Sequence, residues 1–180
     1  QDLAIGTLQN AGVLENQSNA RFVPRTAFPN GGVPMSIVAC DYDNDADLDL
    51  YITYYAQGMP LPYHDANNGP PNVLWRNDGG WQFIDATVPS GLDQNNRRFT
   101  FAAAWEDIDN DGDMDLYVAN DFGRNNLYRN DGGKFTDIAA EAGVEDISAG
   151  MSVTFGDVNH DGLMDLHVSN MFSSAGNRIT

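Results

Sequence analysis

Asp107-Ile108-Asp109-Asn110-Asp111-Gly112-Asp113-Met114-Asp115 places five carboxylates in nine residues. Apolar stretches flank it, from Phe101 to Trp105 before and from Leu116 to Ala119 after. Like charges this dense repel, and each loses water if the flanking segments pack together. A hard cation resolves the conflict. Calcium takes about six to eight oxygen ligands, and alternate Asp side chains can converge on a single point. The pattern recurs at 41–49 and 157–165.

Numbered from its first Asp, each loop carries side-chain oxygens at positions 1, 3, 5 and 9. These are Asp41, Asp43, Asp45 and Asp49 in loop one, and Asp107, Asp109, Asp111 and Asp115 in loop two. In loop three they are Asp157, Asn159, Asp161 and Asp165. Position 7 varies (Asp47, Asp113, Leu163), so its contribution reads as a backbone carbonyl. Position 6 is Gly112 and Gly162, where the chain must turn sharply, but Ala46 in loop one. An Ala at positive φ costs roughly 1 kcal/mol, which makes loop one the weakest of the three on sequence grounds. An EF-hand requires Glu at position 12 and a following helix. Position 12 here is Ile52, Val118 and Val168, inside strand-like runs. Zinc is disfavoured because no His or Cys stands at ligand spacing. Magnesium prefers a smaller, more hydrated site. The expectation is about three calcium ions in structural roles, each site independent of the others.

The segments between the loops repeat too. Phe99 to Trp105 reads as a strand before loop two, and Leu-Tyr-Val-Ala (116–119) as a strand after it. Asn-Leu-Tyr-Arg (126–129), Asn-Asp-Gly-Gly (130–133) and Lys-Phe-Thr-Asp (134–137) then read as a hairpin. The first unit has the same order: 34–40, loop one, 50–54, then 73–76 and 81–84 around the turn 77–80. The third begins with 151–155, loop three and 166–169. The loops start 66 and then 50 residues apart, and 13 of the extra residues fall between Leu50 and Leu74. Four short strands per period of about 50 residues predict the blades of an all-β propeller. The expected division is one propeller segment over 1–180: a partial blade and connector at 1–33, full repeats at 34–98 and 99–150, and the start of a third at 151–180. Only one short helical turn, at 137–142, is expected.

Composition narrows the function. The net charge is −17, and 13 of the 22 Asp residues lie in the three loops. Three calcium ions would bring the charge to about −11, at about +2 each. Such a surface argues against nucleic acid, which needs a basic footprint, and against anionic membranes. No stretch is long and apolar enough to span a bilayer. Cys40 is the sole cysteine, so no internal disulfide exists, and its apolar surroundings predict a buried thiol.

Val-Thr-Phe-Gly-Asp-Val-Asn-His-Asp-Gly-Leu-Met-Asp-Leu (153–166) resembles the calcium-binding FG-GAP or VCBS repeat of integrin α-type propellers. The stretch 126–144 resembles the next part of that unit in bacterial proteins of the cartilage-acidic-protein and UnbV type. The resemblance covers about 34–180. It implies a β-propeller, usually seven-bladed, on an exported or surface protein, with structural calcium at the matching positions. Departures are the absent Gly-Ala-Pro signature, Cys40 and Glu106 where Gly usually precedes the first Asp (Gly156 conforms), and Ala46. A closed propeller needs about four to eight blades, so about three blades imply a partial chain completed by more propeller or by neighbouring chains.

Three functions follow as expectations. The first is an extracellular, cell-surface or periplasmic adhesion module that binds protein or glycan. Its candidate loop is the insertion 55–72, with Tyr55, Met59, Pro60, Pro62, Tyr63 and His64, and 171–178 takes the corresponding place in the third unit. A passive surface insertion is the plainer reading. The second is a structural subunit of a larger surface assembly, although Trp75, Trp81 and Trp105 read as blade core. The third is the non-catalytic propeller of an exported enzyme. Catalysis in the segment itself is not expected: His64, His160 and His167 have no partner at a telling spacing, and no nucleophile or nucleotide motif is present. Arg76 and Arg129, both just before a turn, should bond a neighbouring carboxylate or carbonyl.

Overall fold

The computed structural model describes residues 3–6, 11–17, 21–29, 31–56 and 66–171. β1 (Leu3–Gly6), β2 (Ala11–Asn16) and β3 (Phe22–Phe28) form one antiparallel sheet. β4 (Val33–Cys40), β5 (Asp49–Tyr55), β6 (Val73–Asn77) and β7 (Phe83–Asp85) form the second, in chain order. β8 (Phe99–Glu106), β9 (Asp115–Phe122), β10 (Asn126–Asn130) and β11 (Phe135–Asp137) form the third. β12 (Gly150–Gly156) pairs with β13 (Asp165–Asn170). The described residues are nearly all β, with two four-stranded antiparallel sheets flanked by a three-stranded and a two-stranded one, the arrangement of partial propeller blades.

Each blade is a meander, so its connections alternate between two ends. The three acidic loops and the hairpin turns β6–β7 and β10–β11 emerge at one end. The links β5–β6 and β9–β10 and the connectors β7–β8 and β11–β12 emerge at the other.

The blades stack face to face, and the period-2 alternation of a strand decides which side chain enters which seam. On β5, Leu50, Ile52 and Tyr54 pack toward the first sheet with Val13 and Phe28. Tyr51 points the other way, into a seam with Leu116, Val118 and Tyr128 of the third sheet. On β9, Tyr117 and Ala119 face Val153, Phe155, Leu166 and Val168 of the last sheet. The second strand of each full blade is therefore buried on both faces, and Asp49 to Tyr54 and Asp115 to Asp121 are buried without interruption. Each large apolar side chain so enclosed contributes about 1.5–3 kcal/mol relative to exposure. The three tryptophans lie in these seams: Trp75 and Trp81 against the first core, Trp105 against the second. Trp75 stacks 4.9 Å from Phe28.

Three local features differ from the sequence expectation. The polar stretch after Glu15 contains β3, despite Pro24. Pro24 pairs with Leu14 where the register shifts after Val13, on the edge strand of its sheet, and an edge or bulge is where a strand tolerates proline. Trp81 is a turn residue at φ 66, so β7 starts at Phe83. The connector after β7 holds a short helix, α1 (Thr87–Ser90), in addition to the turn at 138–144. Residues 57–65 of the insertion, including Met59, Pro60, Pro62, Tyr63 and His64, lie outside the described residues, as do 172–178.

Candidate metal centre

Each acidic loop joins the first and second strands of its sheet, and all three fold alike. The position-1 carboxylate accepts two backbone N–H groups from across the loop. Asp41 takes them from Asp45 and Ala46 at 3.0 and 2.9 Å. Asp107 takes them from Asp111 and Gly112 at 3.1 and 3.0 Å, and Asp157 from Asp161 and Gly162 at 3.1 and 2.9 Å. Position 5 accepts from position 7: Asp45 from Asp47, Asp111 from Asp113, Asp161 from Leu163. Position 6 is left-handed in every loop, at φ 74 for Ala46, 94 for Gly112 and 87 for Gly162. Ala46 thus takes the turn that the sequence made doubtful. Position 4 is left-handed as well, in Asn44, Asn110 and His160. The sequence reading missed this role, although Asn at two of the three positions is its signal.

Position 9 anchors the loop to the blade. Asp49 is fully buried; its Oδ2 accepts the N–H of Tyr42 at 3.1 Å and its Oδ1 that of Asn77 at 2.8 Å. Asp115 repeats this with Ile108 at 2.9 Å and Asn130 at 2.7 Å. Asp165 accepts from Val158 at 3.0 Å. Burial pushes both Asp49 and Asp115 up to about 6, against the opposing pull of those backbone donors; nearby loop carboxylates add to the rise.

Two groups of three carboxylates result, Asp41 with Asp43 and Asp49, and Asp107 with Asp109 and Asp115. In each group one ligand oxygen per residue lies within 4.8 Å of the others. Position 5 stands outside both trios. Position 7 turns elsewhere: Asp113 accepts Asn44 Nδ2 at 2.8 Å and Gly132 N–H at 2.7 Å. Loop three, with Asn159 at position 3, forms no such trio among the described residues. The Asn159 amide is instead held by Asp161, donating to its carboxylate at 2.9 Å and accepting its N–H at 2.9 Å.

Loop one carries the sharpest sign of an incomplete coordination. Asp43 Oδ1 is buried and has no hydrogen-bond partner. Burial raises Asp43, with Asp45 adding, and Arg76 opposes. An orphaned carboxylate oxygen beside two further carboxylates is a donor set that fits a hard divalent cation.

The next blade covers this loop. Asn130, fully buried, donates Nδ2 to Tyr42 O at 2.8 Å and to Met114 O at 3.1 Å, and accepts Gly133 N–H at 2.8 Å. Asn77 has the matching place in its own blade, donating to Leu48 O at 3.2 Å. These asparagines open both Asn-Asp-Gly-Gly turns; the repeated motif was the available signal for their role. Arg76 and Arg129 pair with Asp78 and Asp131, both exposed. Cys40 is buried, and burial pushes its thiol up to about 12, with Asp49 and Asp41 adding. His160 and His167 are exposed.

The chain matches no curated protein. Residues 107–168, from the first Asp of loop two to the strand after loop three, match the family model of the FG-GAP-like repeat.

Proposed function

We propose that this chain is a non-catalytic, calcium-braced β-propeller module of an exported protein, and that it serves binding or adhesion. One observation carries the calcium reading: a buried, unpartnered Asp43 oxygen stands within a trio of carboxylates. The second trio repeats the arrangement around Asp107. Calcium would neutralise carboxylates that the blades bury, and so brace the first two strands of each blade. Position 9 already holds the third strand through Asn77 and Asn130. Extracellular calcium suits the site: a Kd near 0.1 mM at ~1 mM calcium stabilises the fold by about 1.4 kcal/mol per site. No helix among the described residues is long and apolar enough to cross a membrane. A protein or glycan partner would meet the opposite end of the blades, where the β5–β6 and β9–β10 links emerge.

Thermal melts with 1 mM calcium and with chelator test this. The melting temperature should be higher in calcium, and Asp43→Asn should reduce the difference. Superimposable curves for the wild-type chain would refute a structural metal.

A further inference from the structure

We propose that the cleft at the end opposite the acidic loops binds an acidic saccharide, seating its carboxylate or sulfate group on Arg97, Arg98 and Arg124. This gives a ligand class to the binding module inferred above; it rests on that reading but not on calcium occupancy.

The cleft has a volume of about 390 Å³ and is formed by three connections, β5–β6, β7–β8 and β9–β10. It therefore spans the second and third blades. That volume lies within the ordinary range of small-molecule sites, about 300–1,000 Å³. The chain has eight arginines and a net charge of −17, yet three of those arginines line this one cleft, against a single acidic lining residue, Asp93. The acidic loops that dominate the molecule's field lie at the far end of the blades.

The cationic wall is held in place from behind. Arg98 Nη1 donates to the backbone carbonyl of Arg124. Gly123, at φ 88, lets the β9–β10 link close onto both the Ala66 carbonyl and the Arg98 stem. A Cβ there would meet Ala66 O at 2.8 Å and Arg98 Cδ at 3.1 Å. On the other side, Gly69 N–H donates to Arg97 O at 2.8 Å. Arg124 spends one nitrogen on Glu145 at 2.7 Å, and its remaining donors are not used by that pair. Arg97 is exposed, and no side-chain partner holds its guanidinium among the described residues. Burial holds the Arg98 guanidinium below its usual value; Tyr128, Asp137 and Glu145 oppose this, and the like charge of Arg124 adds to it. An incoming anion would meet Arg98 and Arg124, each fixed by a partner, and the exposed Arg97 in the same lining. Planar guanidiniums match carboxylate and sulfate oxygens with paired donors.

The rest of the lining favours a polyhydroxylated anion over an acidic peptide. It has no aromatic or large aliphatic side chain to take a peptide's apolar groups. It offers instead the exposed Asn67 and Asp93, which can donate to and accept from hydroxyls. Asn95 and Asn96 do not compete for this role, since Asp137 and Asn72 already engage them.

The test is calorimetric titration of the chain, in 1 mM calcium, with trigalacturonate, a sulfated disaccharide, maltotriose and hexaglutamate. At least one of the two anionic saccharides should bind, and maltotriose should not. Arg97→Glu and Arg124→Ala should each weaken that binding at least tenfold, with melting temperatures unchanged. Failure of both anionic saccharides to bind would overturn the proposal, as would binding unaffected by Arg97→Glu. Tighter binding of hexaglutamate would overturn the ligand class. Binding lost in Asp43→Asn but kept in Arg97→Glu would place the saccharide on loop calcium instead and overturn the cleft. The melts in calcium and chelator are read separately, so a failed titration leaves the calcium reading standing or falling by itself.

Discussion

Ala46 holds φ 74 where its counterparts are glycines. The hydrogen bond it donates to Asp41 at 2.9 Å repeats those of Gly112 and Gly162, so the loop's own bonding enforces the turn against the steric preference of its Cβ. Ala46→Gly should relieve about 1 kcal/mol of that cost. In a chain of this size this raises the melting temperature by about 2–4 °C; a fall on calorimetry would show that the turn is unstrained. Asp49 makes a second residue-scale case. Its folded value of about 6 lies above the ordinary 3.8, so the folded state holds the proton more tightly than the unfolded one. In chelator, its contribution to stability is complete below about pH 4 and is lost as pH rises through about 6. Asp115 follows the same course. Metal reverses the trend, because calcium competes with the proton, and its affinity should fall as pH drops below about 6. Urea midpoints of wild type and Asp49→Asn from pH 4 to 7.5, in chelator, check the first statement. The wild type should lose ground to the variant as pH rises.

At the scale of elements, the third blade's hairpin closes the second blade's loop. Asn130 joins them through one bond, from its Nδ2 to Tyr42 O, while its bonds to Met114 O and from Gly133 N–H fix the amide within its own blade. Asn130→Ala leaves carbonyls of Tyr42 and Met114 without that donor and should cost about 2–4 kcal/mol, measured as a shift in denaturation midpoint. A change below 1 kcal/mol would mean that water replaces the amide at no loss. Asn44 and Asp113 bond loop one to loop two, a contact that would couple sites the sequence treats as independent. Asp113→Ala should therefore weaken calcium at loops one and two together, by about two- to tenfold, since an exposed bond of this kind is worth about 0.5–1.5 kcal/mol. Terbium luminescence with Asp45→Ala as a loop-one control separates the two sites; an effect confined to loop two would restore independence.

Across the whole molecule, stability comes from seams between sheets rather than from any sheet alone. Each of the two four-stranded blades contributes one face to each of two seams, and their second strands lie at the centre. A buried polar network supports the seam at the end away from the metal loops. Asn72 donates to Thr100 Oγ1 at 2.9 Å, and Thr100 donates to Asn120 at 2.7 Å, all three being buried. Calcium held by the acidic loops would add to this at the other end. Each occupied site, at about 1.4 kcal/mol, should raise the melting temperature by about 3–6 °C, so the calcium-minus-chelator difference reports how many loops are filled.

The alternating carboxylates, the turn glycines and the four-strand period were legible in the sequence because each is a local requirement: a loop needs its oxygens and its left-handed turn, a strand its alternation. The FG-GAP-like match over 107–168 rests on the same local pattern. Tertiary structure alone decided what depends on a neighbouring blade. It buried Asp43 Oδ1 without a partner and set Asn130 over loop one. It also brought Arg97, Arg98 and Arg124 to one cleft across two blades. Those contacts join residues distant in the chain, and no spacing along the sequence encodes the packing that brings them together.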